Sequence, residues 1–168
     1  TGYDHRARLV GKFKPRFNLF SWGEKLCNLI VHIPEEMDIL IDDGSGFINI
    51  DQIKGQLNID DGSGSIRIRN VTGDIEVDDG SGPLEIVDIT GSVRLDDGSG
   101  EIIIKNVEGD FHIDDGSGDI NVDNIHGSVT LSDNSGSIWM DTVSKDLIIQ
   151  DDGSGDVKIS NVKGRVIK

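Results

Sequence analysis

The chain has 168 residues, 22 of them Gly but only 3 Pro, and its apolar share of 35% is low for a thick globular core. Asp and Glu number 31 against 16 Lys and Arg, a net charge of −15 that argues against nucleic acid as a partner and for cations. A single cysteine, Cys27, excludes an internal disulfide framework and a multi-cysteine zinc site, and no apolar run approaches the roughly 18 residues of a membrane span.

The first predicted unit is residues 1–28. Up to Cys27 it carries Arg6, Arg8, Lys12, Lys14, Arg16 and Lys25 against Asp4 and Glu24, a net +4 that leaves −19 for the rest. It also holds Tyr3, Phe13, Phe17, Phe20 and Trp22, five of the eight aromatics. Phe13, Phe17 and Leu19 alternate with Lys12, Lys14, Arg16 and Asn18, which suits an extended strand with Pro15 at an edge. Three readings stand open. The segment caps the first coil of residues 29–168, or it is an arm whose cations and aromatics engage a neighbouring subunit. The third reading, an anionic membrane or nucleic-acid patch, runs against the acidity elsewhere. In the arm reading, the assembly residues are Arg6, Arg8, Lys12, Phe13, Lys14, Arg16, Phe17, Phe20 and Trp22.

The second unit, residues 29–168, is a repeat. Asp-Asp-Gly-Ser-Gly begins at Asp42, Asp60, Asp78, Asp96 and Asp114, 18 residues apart each time. The sixth copy is degraded to Ser-Asp-Asn-Ser-Gly from Ser132, and the seventh starts at Asp151, one residue late, so an insertion lies near Gln150. Within residues 65–82, Ile66 and Ile68 alternate with polar residues, as do Ile75 and Val77, and Gly-containing tetrapeptides separate the two runs. Such alternation predicts two short strands, each with one buried face, joined by tight turns. A unit this small buries its apolar face only by stacking on its neighbours.

The predicted fold is therefore all-β, a parallel β-solenoid of about seven 18-residue coils with two strands per coil. Its inward columns read Ile48, Ile66, Leu84, Ile102, Ile120, Ile138, Val157 on one sheet and Leu57, Ile75, Val93, Phe111, Val129, Leu147, Val166 on the other. A corner column runs from Ile53 through Val71 to Val162. Gln52, Asn70, Asp88, Asn106, Asn124, Thr142 and Asn161 form a polar ladder, and Gly55, Gly73, Gly91, Gly109 and Gly127 are expected to supply positive φ beside it. Lys145 breaks that glycine column, so its coil is expected to be irregular.

Stacking places like charges in register. Asp43, Asp61, Asp79, Asp97, Asp115 and Asp133 share one column, and Asp42, Asp60, Asp78, Asp96 and Asp114 an adjacent one. Unit charges one rung apart repel by about 1 kcal/mol in water and more at lower dielectric. Calcium, which takes 6–8 oxygen ligands from carboxylates and turn carbonyls, is one candidate for offsetting this, with the pairs 42/43 to 114/115 and Asp151, Asp152 as ligands. In the other reading the second Asp of each pair caps its own turn through backbone N–H groups and the columns are simply solvated.

The stretch from Leu29 to Lys168 resembles a bacterial adhesin-like family of unknown function built of β-strand repeats. The likeness rests on Ile33-Pro34-Glu35 leading into a strand, on recurring Asp-Gly-Ser-Gly-x-Ile-x-Ile-x-Asn-Val-x-Gly-Asp units, and on Val162-Lys163-Gly164-Arg165-Val166. It implies a non-enzymatic β-solenoid in the cell envelope or outside the cell, with a signal peptide and further strands ahead of Thr1. The nonapeptide period is also similar to that of the RTX calcium β-roll. The position that carries Asp there is apolar here (Ile66, Ile75), and the acidic residues precede the turn.

Ile103 and Trp139 interrupt an outward, otherwise polar column and join the candidate assembly residues, as a lateral contact. No catalytic constellation is apparent. His5, His32, His112 and His126 lack metal spacing, and Gly-Ser-Gly is a turn rather than a nucleophile elbow. The leading expectation is a non-enzymatic, self-assembling structural solenoid, with a head-to-tail filament and calcium stabilisation as its extensions. The alternative is a monomeric adhesin-like module that binds calcium or a surface glycan.

Overall fold

In the computed structural model, which describes residues 30–168, the repeats form two parallel sheets, with no helix among the described residues. The expectations for residues 1–28, and for Arg6, Arg8, Lys12, Phe13, Lys14, Arg16, Phe17, Phe20 and Trp22 in particular, lie outside the described residues.

One sheet takes the odd strands in order: β1 (Ile39–Asp43), β3 (Leu57–Asp61), β5 (Ile75–Asp79), β7 (Val93–Asp97), β9 (Phe111–Asp115), β11 (Val129–Asp133), β13 (Leu147–Asp151) and β15 (Val166–Ile167). The other takes the even strands: β2 (Gly46–Lys54), β4 (Gly64–Thr72), β6 (Leu84–Thr90), β8 (Ile102–Glu108), β10 (Ile120–Ile125), β12 (Ile138–Val143) and β14 (Val157–Val162). As far as β12 neighbouring strands pair 18 residues apart, so Ile66 lies between Ile48 and Leu84, and Ile75 between Leu57 and Val93, and the last pairs are 19 apart. Each coil adds one rung, roughly 4.8 Å, to both sheets.

The inward columns meet between the sheets. Ile66, Ile68, Leu57, Ile59 and Val71 and their counterparts as far as β13 are buried almost completely, whereas those of β14 and β15 are only partly covered or exposed. Full burial of one such side chain contributes about 1.5–3 kcal/mol, and each coil brings about five. That holds an 18-residue unit in place on its neighbours although it could not fold alone.

The corner after each even strand has a specific cause. Gln52, Asn70, Asp88, Asn106, Asn124, Thr142 and Asn161 all adopt a left-handed backbone, with φ between 53° and 61°. One such residue puts two outward positions in succession, as in the exposed pair Asp51 and Gln52. The following Ile53 then turns back into the core, and the ladder resumes beyond the bend at Ile53↔Val71. The corner thus needs two polar residues and then an apolar one, the Asn-Val pattern of the sequence.

The expected amide ladder is present in part. Asn106 Nδ2 donates to Asp88 Oδ1 at 2.7 Å and Asn124 Nδ2 to Asn106 Oδ1 at 2.8 Å. Asn70 donates sideways to Asp51 Oδ1 at 2.7 Å.

The glycine column needs a correction. Only Gly73 and Gly91 in it have positive φ in the left-handed half of the map. What all five share is close approach: a Cβ on Gly55, Gly73, Gly91, Gly109 or Gly127 would run into the backbone carbonyl of the preceding coil. The coils press together there too tightly for any side chain.

Lys145 occupies the next place in that column, and the corner around it is rebuilt. In earlier coils the glycine N–H donates forward, as Gly73 does to Thr90 O at 2.9 Å. The donation turns backward one coil before Lys145, with His126 N–H to Val107 O at 2.8 Å, and stays so in Ser144 N–H to Ile125 O at 2.9 Å, Lys145 N–H to Gly127 O at 3.2 Å and Gly164 N–H to Lys145 O at 3.1 Å. In the same region the pairing of β11 with β13 slips by one residue, from Leu131↔Ile149 to Ser132↔Asp151, so Gln150 is the inserted residue.

Candidate functional site

Each Asp-Asp-Gly-Ser-Gly corner starts at the end of an odd strand, so its two carboxylates obey strand alternation. Leu57 and Ile59 point inward, Asn58 and Asp60 outward, and Asp61 inward again. The pairs are thereby split. Asp60, Asp78, Asp96 and Asp114 stand in solvent, as does Asp42 in the first coil. Asp61, Asp79, Asp97, Asp115 and Asp133 are buried, at most 2% exposed.

The buried five stack in register through the pairs Asp61↔Asp79, Asp79↔Asp97, Asp97↔Asp115 and Asp133↔Asp115. Every member has the same bonding. Its Oδ1 accepts the backbone N–H of the Ser two residues on, at 3.3, 3.1, 3.1, 3.0 and 2.9 Å for Ser63, Ser81, Ser99, Ser117 and Ser135. This is the Asx-type turn, and it ties the corner to the strand that leads into it. Its Oδ2 is buried and has no hydrogen-bond partner in any of the five.

Burial is the main reason these carboxyls ionise reluctantly. It pushes Asp97 up to about 7, with Asp115 and Asp79 adding like-charge repulsion against the Ser99 bond. It pushes Asp115 up to about 6, with Asp133 as the next contributor. Asp61, Asp79 and Asp133 are raised for the same reason.

The column is less enclosed at its ends. Asp43 is half-buried and its Oδ1 accepts Gly44 N–H at 2.9 Å. Asp151 is exposed and accepts Gly153 N–H at 2.9 Å, while Asp152 pairs with Lys168 Nζ at 2.8 Å.

A different set of acids ties coil to coil. Asp38, Asp74 and Asp110 accept the backbone N–H of Gln56, Ser92 and Ser128, each 18 residues later, at 2.9 Å. Asp146 does the same for Arg165 at 2.8 Å and also binds its guanidinium. Asp110 and Asp146 are held below the usual carboxylate range, the first mainly by the Ser128 N–H and the second mainly by the Arg165 side chain. Much of the chain's acidity is thus engaged with backbone donors.

The candidate calcium residues Asp60 and Asp61, Asp78 and Asp79, Asp96 and Asp97, and Asp114 and Asp115 do not converge as pairs, because the two members of each face opposite sides of their strand. Among the described residues no three His, Cys, Asp or Glu side chains gather as a metal-binding group. Ile103 and Trp139 are each half-buried and lie in one column, with exposed Asn121 between them. Lys158 Nζ lies 6.0 Å from the Trp139 ring centre, at the outer limit of a cation–π contact. His112 in β9 is half-buried, and His126, in the turn between β10 and β11, is exposed.

In sequence the inner and outer acidic columns look alike, and Asp133, which lacks an acidic neighbour before it, falls outside the candidate calcium set. The signal that separates the columns is nonetheless there: inward alternation continues from Leu57 and Ile59 into Asp61.

Compared with known proteins, residues 3–164 match the Toastrack DUF4097 family. No curated protein and no solved structure matches the chain.

Proposed function

The chain belongs to the Toastrack DUF4097 family, and we propose that it is a non-enzymatic structural protein of the cell envelope or extracellular space, a rigid rod that associates with further copies of itself. The observation that carries this reading is repetition. The chemistry-bearing side chains recur at one pitch along straight columns, the buried carboxylate five times over with the same Ser partner. An active site assembles different groups at a single place, whereas a rod repeats one arrangement along its length.

The edges of the sheets support association. Among the described residues, β14 and β15 are bonded to a neighbour on one side only, as are β1 and β2 at the opposite edge. Val166 and Ile167 are exposed at one edge and Leu40 and Phe47 at the other. Two parallel edges of the same two-sheet cross-section are complementary, and a head-to-tail contact of this kind extends into a filament rather than closing.

Sedimentation velocity on the purified chain, in millimolar calcium and again in chelator, tests the reading. Large species in both buffers are expected if the strand edges alone drive association. Species that collapse to monomer in chelator would make calcium part of the assembly. A sharp monomer in both sinks the self-association and turns attention to ligands of the flat face that carries Trp139.

A further inference from the structure

The five buried Oδ2 atoms present a problem that the turn hydrogen bonds leave open. A buried polar atom without a partner costs roughly 1–3 kcal/mol, and more when charged. Here the cost recurs at Asp61, Asp79, Asp97, Asp115 and Asp133, all at most 2% exposed. The second carboxylate nonetheless survives where the sequence drifts. The sixth corner changes Asp-Asp-Gly to Ser-Asp-Asn, losing the solvent-facing acid and keeping the buried one, Asp133.

A hydrogen-bond donor or a positive charge would relieve that cost, and the nearby charged side chains supply neither. The charged groups that bear on it are Asp60, Asp78, Asp96 and Asp114 from its own strands, Asp43 from the first coil, Asp119 from the approach to β10, and Asp151 and Asp152 from the last corner. All are acidic. A chelated metal is disfavoured by the lack of three converging ligands among the described residues. A proton needs no coordination shell. Placed on one Oδ2 it makes that atom a donor, and the next carboxyl, one rung away in register, offers an acceptor.

We propose that Asp61, Asp79, Asp97, Asp115 and Asp133 form a proton-holding ladder in which neighbouring carboxyls share protons along the rod axis, making the solenoid firmer in weak acid than in weak base. Carboxyls stacked one rung apart repel one another as they ionise, so protons leave the column in coupled steps rather than site by site. The direction of the effect follows from linkage. The folded column binds protons more tightly than the unfolded chain, in which these groups ionise near 3.8. The stabilisation is complete below that value, falls as pH rises, and is gone once pH passes the folded values of about 6 for Asp115 and about 7 for Asp97. Within that window each retained proton changes the folding constant by up to about tenfold per pH unit.

Two measurements on the full chain, in chelator except where calcium is added, test the ladder. The first is a carbon-13 titration of the Asp carboxyls. Expected are five signals that titrate in overlapping steps, all above the ordinary range, with those of Asp97 and Asp115 still partly protonated at pH 6. Full ionisation of all five by about pH 5, the ordinary range, overturns the proposal.

The second is thermal unfolding between pH 5 and pH 8 for the wild type, Asp97→Asn and Asp96→Asn. An Asn at position 97 keeps the acceptor for Ser99 and carries N–H donors where the acid would carry its proton. Asp97→Asn should melt higher than wild type at pH 8, with a flatter dependence on pH. Asp96→Asn, the same charge change on the solvent side, removes only the smallest of the repulsions on Asp97 and should keep most of the wild-type pH dependence. An Asp97→Asn curve parallel to wild type and lower at every pH overturns the ladder. So does a rise in melting temperature on adding calcium at pH 8 that Asp97→Asn abolishes, since a metal would then hold the column. Should Asp97→Asn not fold, the titration of the wild type decides alone.

Discussion

A single methyl group separates two kinds of glycine in this chain. Gly82 has φ 137°, and a Cβ there would collide with the carbonyl of Gly64 in the preceding coil. Gly44, in the first Asp-Asp-Gly-Ser-Gly corner, has open space where a Cβ would go. Gly82→Ala is expected to destabilise by roughly 2–4 kcal/mol, combining backbone strain with forced separation of the coils. Gly44→Ala should stay within about 0.5 kcal/mol of wild type. Urea unfolding of the two variants checks the pair, and equal effects would mean that the coils can separate at the corner without penalty. Glycines were easy to find in the sequence, but the reason for them was not. Positive φ was expected at Gly55, Gly109 and Gly127, where inter-coil contact is the constraint. At the bend after each even strand the left-handed residue is instead a non-glycine, down to Thr142 with φ 57°. An isolated Thr shows no preference for that backbone. Only its place in a column of Asn and Asp marks it, and the cost of about 1–2 kcal/mol per left-handed residue is accepted because the bend returns the next side chain to the core.

At the scale of strands, alternation made the architecture legible. Ile66 and Ile68 fall 18 residues from Ile48 and Ile50, and the two sheets follow with their register. The same alternation carried on into Asp61 would have shown the acidic pairs splitting across the strand. It is easily missed because a doubled Asp looks like one motif, whereas the backbone treats it as two positions with opposite environments. The irregular sixth coil was legible for a related reason: Lys145 and the late Asp151 both break the period, and the slip between β11 and β13 lies beside them. Stability should vary along the rod accordingly. Ile102, Ile104 and Ile120 are fully buried, while Val157, Ile159 and Val162 of β14 are only partly covered. Amide exchange is expected to be slowest in β6 to β10 and fastest in β14 and β15, with an intermediate step at the bulge around Gln150. Uniform protection from β6 to β15 would show that the coils open as a single unit.

The described residues form a stack in which each strand pairs only with those of the adjacent coils, and that has a sharp consequence. Removing residues 84–101 joins Pro83 to Ile102, and every downstream residue keeps its 18-residue register. Ile102 then lies on Ile66, Phe111 on Ile75 and Asp115 on Asp79. A globular core would not tolerate the loss of so long a stretch of core-forming chain. A solenoid should, because each coil contacts only the coils beside it. The shortened chain is expected to fold with an unchanged β-sheet spectrum and a long axis shorter by roughly 4.8 Å, readable by small-angle scattering. It should unfold at a lower urea concentration, since one coil's burial is gone. It also removes Asp97, the most strongly shifted carboxyl, so its melting temperature should depend less on pH between 5 and 8 than that of the full chain. A chain that shortens and folds but keeps the full pH dependence would separate the two ideas, leaving the stack intact and the proton ladder refuted. Loss of all structure would instead mean that the rod depends on contacts longer in range than one coil, and the additive picture of its stability would fail.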